Sequence, residues 1–168
     1  MQGEAFKRFA IYSASVEQCL HGYTLLCDLE NRMLVYRDTL LRASFESLAS
    51  IKLELDMSKA YAKAAEDQRA AEFVCAFELT EEDVAALVSM LSVDEFVRAK
   101  ERAMSEPLFL VQDDSDGMRL GFEGYTGSAT PLFQIKNTYR YPGVVLPLRK
   151  LHDWLVERFD LRALPGFC

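Results

Sequence analysis

The sequence predicts a single α+β domain, residues 1–168, in which a mainly antiparallel sheet packs against about three to four helices. Three observations lead there. Short runs rich in aromatic and β-branched residues follow one another as meanders. Two helix starts with capping signals stand close together, at Thr80 and Ser92. No regular strand–helix–strand alternation occurs, and a parallel sheet demands one. The competing architecture is a mainly helical N-terminal two-thirds followed by a C-terminal β-hairpin.

Taken in order, Phe9 to Tyr12 reads as a strand, with a short helical turn before Gly22, although Ala5, Phe9, Tyr12, Val16 and Cys19 also keep a helical rhythm. Tyr23 to Arg37 reads as a hairpin with a polar turn at Glu30-Asn31-Arg32, because Asn tolerates turn geometry. A helix competes here, since Leu26, Leu29, Met33, Tyr36 and Leu40 recur every three or four residues. Ser50 to Asp56 alternates apolar and charged residues as a half-buried strand does, and alanine-rich Ser58 to Ala71 has high helix propensity. Glu72 to Leu79 reads as a buried strand.

Thr80 caps the clearest helix. Glu81, Glu82 and Asp83 lie where the helix dipole favours negative charge, and Val84, Leu87, Val88 and Leu91 form its apolar stripe. Ser92 opens the next helix, with Phe96, Val97 and Met104 inside and Pro107 at its end. Leu108 to Val111 and Met118 to Glu123 are strands around an acidic Asp-Gly turn, and Leu132 to Lys136 is another. Leu148 to Phe159 is a final helix with Leu148, Leu151, Leu155 and Phe159 on one face and Trp154 beside it.

The composition, 50% hydrophobic and 27% charged, is that of a folded chain rather than a disordered one. No segment offers the roughly 20 apolar residues of a membrane span, and Met1 to Arg8 does not lead into a secretion signal, so the expected location is cytoplasmic with no membrane partner. The net charge of −7 is unevenly spread: residues 1–118 carry 12 basic and 22 acidic side chains, residues 119–168 carry 7 and 4. The acidic excess argues against general nucleic-acid binding, which draws its affinity from Lys and Arg. Texture changes too. Residues 23–106 hold neither glycine nor proline, and 11 of the 13 such residues fall in 107–168.

Motifs for chemistry are sparse. Gln112 to Glu123 imitates a calcium loop at Asp114, Asp116, Gly117 and Glu123. It lacks the first Asp and the flanking helices, so an acidic turn explains it better. Cys19, Cys27, Cys75 and Cys168 match no metal or redox spacing and read as reduced thiols. His152 precedes Asp153 on a helix, where adjacent residues point in different directions, so no catalytic dyad is expected. No cofactor is expected.

What remains is a binding surface. One candidate is the acidic group Glu81, Glu82 and Asp83. The other is the basic-aromatic group Tyr139, Arg140 and Tyr141, of a composition frequent at interfaces. The expectation is a non-enzymatic accessory protein, immunity-, inhibitor- or adaptor-like, that holds a protein partner through an acidic or aromatic face. The alternatives are a small-molecule-binding domain or enzyme with an unfamiliar site, and an acidic mimic of nucleic acid.

Overall fold

The computed structural model describes residues 3–15, 22–38, 74–105, 118–127, 130–135, 142–165 and 167. Six strands form one antiparallel sheet: β1 (Arg8–Ser15), β2 (Gly22–Asp28), β3 (Met33–Arg37), β4 (Val74–Glu78), β5 (Met118–Tyr125) and β6 (Phe133–Ile135), ordered β4-β3-β2-β1-β5-β6. Among the described residues three helices accompany it: α1 (Glu81–Met90), α2 (Val93–Ser105) and α3 (Pro142–Arg158), followed by a 3₁₀ turn at Leu161–Ala163. The chain is therefore α+β. No helix among the described residues is long and apolar enough to cross a membrane. The short helical turn expected before Gly22, the strand at 50–56, the helix at 58–71, the strand at 108–111 and the acidic turn at 113–117 lie outside the described residues.

Strand β1 holds the centre. It pairs with β2 through Ile11 opposite Leu25, and with β5 through Ile11 opposite Phe122. Alternation along the strands sends Phe9 and Ile11, Tyr23, Leu25 and Cys27, Leu34 and Tyr36, and Leu120 and Phe122 into the main core with the helices. Ala10, Leu26 and Val35 form a smaller cluster on the opposite face. β2 is thus buried on both faces along its whole length. A strand buried twice shows a continuous apolar run rather than alternation. That is why Tyr23 to Leu29 also fitted a helix, and the hairpin now replaces the helical reading over 23–37.

The turn between β2 and β3 differs in detail from its expectation. Arg32, not Asn31, takes the left-handed conformation, with φ of 50°. Asp28 organises the loop instead: its Oδ1 accepts from the backbone N–H groups of Glu30 (3.0 Å) and Asn31 (3.1 Å), and its Oδ2 from the Asn31 amide (2.8 Å). This is an Asx-type turn, which frees Asn31 from supplying the positive φ.

Two further expectations are corrected. β4 was read as buried, but it ends the strand order among the described residues, and its side chains are half-buried or exposed. Cys75 and Phe77 reach the main core, and Val74 packs against the smaller cluster. The last helix begins at Pro142 rather than Leu148 and carries Pro147 inside it. Proline is at ease in a first helical position, so Pro142 starts the helix, and Pro147 costs it a single N–H donor. Of the expected face, Leu148, Leu151 and Leu155 are fully buried, while Phe159 lies just past the helix end and packs half-buried against the core.

An aromatic cluster joins the layers. Phe6 meets Phe96 of α2 edge-on (5.7 Å), Phe122 of β5 edge-on (5.5 Å) and Phe133 of β6 (6.1 Å), while Phe96 stacks on Phe122 at 4.7 Å. The Phe6 backbone N–H donates to Leu91 O (3.0 Å), and Val93 N–H donates to Glu4 O (2.9 Å), which pins the α1–α2 corner to the chain entering β1. Gly124 makes room: a Cβ there would stand 2.5 Å from the Phe6 ring. Because that ring is buried among three others, it cannot swing aside. Gly124→Ala is therefore expected to destabilise the protein by about 1–3 kcal/mol. Urea unfolding will measure it, and an unchanged midpoint would mean that the Phe6 ring repacks freely.

Candidate functional site

The first turn of α1 is built around Thr80. Its hydroxyl accepts from the Asp83 N–H (3.1 Å), and the Thr80 N–H donates to Asp83 Oδ2 (3.0 Å), completing a reciprocal capping box. Asp83 then takes Arg158 at the end of α3: Nε donates to Oδ1 at 2.8 Å and Nη2 to Oδ2 at 3.2 Å. Asp83 is buried, and burial alone would raise its carboxyl pKa. The Thr80 backbone N–H, the Arg158 guanidinium and the Thr80 side chain outweigh that and hold it below the usual carboxylate value.

The three acidic residues expected to act as a group are therefore divided. Asp83 faces inward and fastens two helices. Glu81 and Glu82 are exposed, and Glu81 reaches Arg32 across open solvent at 3.6 Å. An exposed pair of this kind contributes little to stability, about 0–1 kcal/mol. The outward side of α1 continues through Ala85, Val88 and Ser89, with Val88 46% exposed. Val88 was expected in the buried stripe. Leu87 and Leu91 occupy that stripe, and Val88 is rotated about 100° from Leu87. Ser92 caps α2 by accepting from the Glu95 N–H (3.3 Å), which leaves Asp94 and Glu95 exposed at a second helix start. Tyr139, Arg140 and Tyr141 lie outside the described residues.

A second constellation escaped the sequence reading. His152 is buried on α3, with its Nδ1 3.2 Å from Asp153 Oδ1. The neighbouring carboxylate thus curls back to the ring, contrary to the expectation that the two side chains diverge. Since the carboxylate can only accept, Nδ1 carries the hydrogen and Nε2 is left as an acceptor for the Tyr23 hydroxyl. Tyr23 stacks on Tyr36 (5.2 Å) and on Phe167 (5.1 Å), and the Tyr36 hydroxyl donates to Pro165 O (2.8 Å). Burial lowers the His152 pKa first of all; Asp153 opposes the shift, and Arg149 and Arg162 add to it. The ring is neutral near pH 7. The missed signal was its spacing: His152 lies one position after Leu151 and four after Leu148, on the inward side of the helix.

Glu123, the twelfth position of the calcium-like motif, is buried in β5. It accepts from the Tyr125 hydroxyl (2.7 Å) and the Gln134 amide (3.1 Å), so it serves the sheet. Among the described residues no three His, Cys, Asp or Glu side chains are grouped to hold a metal ion. Cys27 and Cys75 are free thiols. Burial raises the pKa of both, and the Asp28 charge raises that of Cys27 further. Thiolate, the reactive form, is therefore scarce at either. No family model, curated protein or solved structure matches this chain.

The depressed Asp83 pKa has a pH signature. A carboxylate held below its unfolded value, about 3.9, adds stability that is complete above that value and is lost as pH falls through the lower folded one. Asp83→Asn keeps the capping acceptor but loses the charge. It should lower the neutral-pH melting temperature and flatten its dependence on acid below about pH 4 relative to wild type. Calorimetry across that range will decide, and parallel curves would remove the assigned role.

Proposed function

We propose that this chain is a non-enzymatic accessory protein, of the inhibitor, immunity or adaptor kind, that holds a protein partner through the acidic outer side of α1. The observation behind this reading is the division of labour in the first turn. Asp83, fixed by Thr80 and Arg158, sets the helix end rigidly in place, and Glu81 and Glu82 are left outward with no part in the core.

The two charges stand at the head of a stripe of small and apolar residues, Ala85, Val88 and Ser89, all exposed. A helix that presents carboxylates beside an apolar spot suits a partner with basic side chains around a shallow apolar pocket. The charges would speed encounter and set orientation, and Val88 would supply the desolvated contact. A backbone held by a capping box and by an ion pair to the buried Asp83 carboxylate loses little entropy on binding. The scarcity of thiolate and the absence of a metal-binding group among the described residues leave surface recognition as the simpler use of this fold.

The test is affinity capture from source lysate with wild-type and Glu81→Gln/Glu82→Gln baits. Wild type should retain a specific partner, and the double variant should retain it at least about tenfold less, a loss of ~1.4 kcal/mol. The variant's melting temperature should fall by no more than a few degrees, since each dipole-favoured charge contributes about 0.3–1 kcal/mol. A partner held equally well by both baits would dismiss the acidic face.

A further inference from the structure

Beyond Arg158 the chain does not leave the body of the protein. Asp160 adopts a left-handed conformation (φ 50°, ψ 48°) and turns the backbone sharply after α3. Leu161 is buried, and Leu164 and Phe167 pack against the main core. Among the described residues the strap's backbone hydrogen bonds are local turns: Ala163 N–H to Asp160 O (3.2 Å), Leu164 N–H to Leu161 O (3.0 Å) and Phe167 N–H to Leu164 O (3.4 Å). Its far end is held from the sheet by the Tyr36 hydroxyl on Pro165 O and by the face of Tyr23 against Phe167, at 19° between planes. Both anchors sit beside the buried imidazole of His152, because Tyr23 also bonds to and stacks on it.

We propose that the strap formed by Leu161–Pro165 and Phe167 is a proton-operated latch, docked while His152 is neutral and released when His152 takes up a proton. In the docked state the proton order is Tyr23 O–H to Nε2 and Nδ1–H to Asp153. A proton from solvent can add only to the Nε2 lone pair. Nε2 then becomes a donor facing the Tyr23 oxygen, and the Tyr23 hydrogen must rotate out of that line. A full positive charge would also stand in a ring that is only 3% exposed.

The groups that face the ring come from three elements. From α3, the Asp153 carboxylate favours the charged ring and Arg149 opposes it. From the 3₁₀ turn, Arg162 opposes it. From the sheet, Tyr23 and Tyr36 bring hydroxyl-bearing rings rather than a carboxylate. Lifting the strap removes Arg162 and admits water, so the released form binds the proton more readily. A histidine whose docked pKa is depressed favours docking above its ordinary value of about 6.5, and that preference is lost as pH falls from there through the docked value.

Hydrogen exchange of the full chain, read by mass spectrometry at steps from about pH 7.5 to about pH 5 and corrected for intrinsic rates, tests this. In wild type, protection of residues 160–167 should fall at least about fivefold further than protection of β1 and β2. In His152→Gln the strap should show no such step. Asp153→Asn changes an exposed residue, keeps the Nδ1 acceptor and removes the charge that favours the imidazolium. It should move the wild-type midpoint down by about half a pH unit or more. Equal acid loss in strap and sheet, an undiminished step in His152→Gln, or an unmoved midpoint in Asp153→Asn would each overturn the proposal. Should His152→Gln fail to fold, Asp153→Asn decides alone.

Discussion

The packing of Phe6 is the contact on which the rest of the architecture depends. This one ring touches the helix layer through Phe96, the central ladder through Phe122 and the last described strand through Phe133. Its own backbone binds the corner between α1 and α2. Apolar burial supplies the energy, and ring geometry supplies direction, since edge-on and offset contacts are preferred over face-to-face ones. The cluster tolerates this density because β5 passes beneath it with no side chain at Gly124. Where α2 sits, and so where α1 points its first turn, follows from that contact.

Two buried polar groups then tie α3 to its neighbours, Asp83 to α1 and His152 to Tyr23 of β2, and they behave differently. Asp83 keeps its charge because three kinds of donor converge on it, including a guanidinium from α3. His152 loses its charge because burial and two arginines outweigh one carboxylate. The first is a fixed tie across neutral and mildly acidic pH. The second is conditional, and it lies where the end of the chain folds back on β2 and β3. The surface offered by α1 and the strap held near His152 are thus governed by separate ionisations, one paired with Arg158 and the other six positions earlier in α3.

Much of this was legible in the sequence, for identifiable reasons. Thr80, Ser92, Asp94 and Glu95 announced two helices because capping is a local interaction between residues a few positions apart. The β2–β3 hairpin and β5 were visible through aromatic and β-branched runs. What stayed ambiguous was any strand buried on both faces, since β2 offers no alternation to separate it from a helix. The site was less legible still. Of Glu81, Glu82 and Asp83, the third is set apart by the local capping box with Thr80 and by Arg158, 75 positions away, which no local pattern reveals. His152 was passed over because its decisive neighbour, Tyr23, is 129 positions distant.

The placement of β1 also shapes how the protein comes into being. β1, β2 and β3 are consecutive and can pair as a meander while the rest of the chain is still being made. The other side of β1 belongs to β5, whose residues lie more than a hundred positions later. During synthesis β1 must therefore wait with one row of backbone donors and acceptors unpaired, beside the apolar side chains of Phe9 and Ile11. Closing that long interval is a slow step with a high entropic cost, and an open strand edge invites pairing with other chains. A strand paired on both sides in the finished molecule thus stays open along one edge of the nascent chain until β5 has been made.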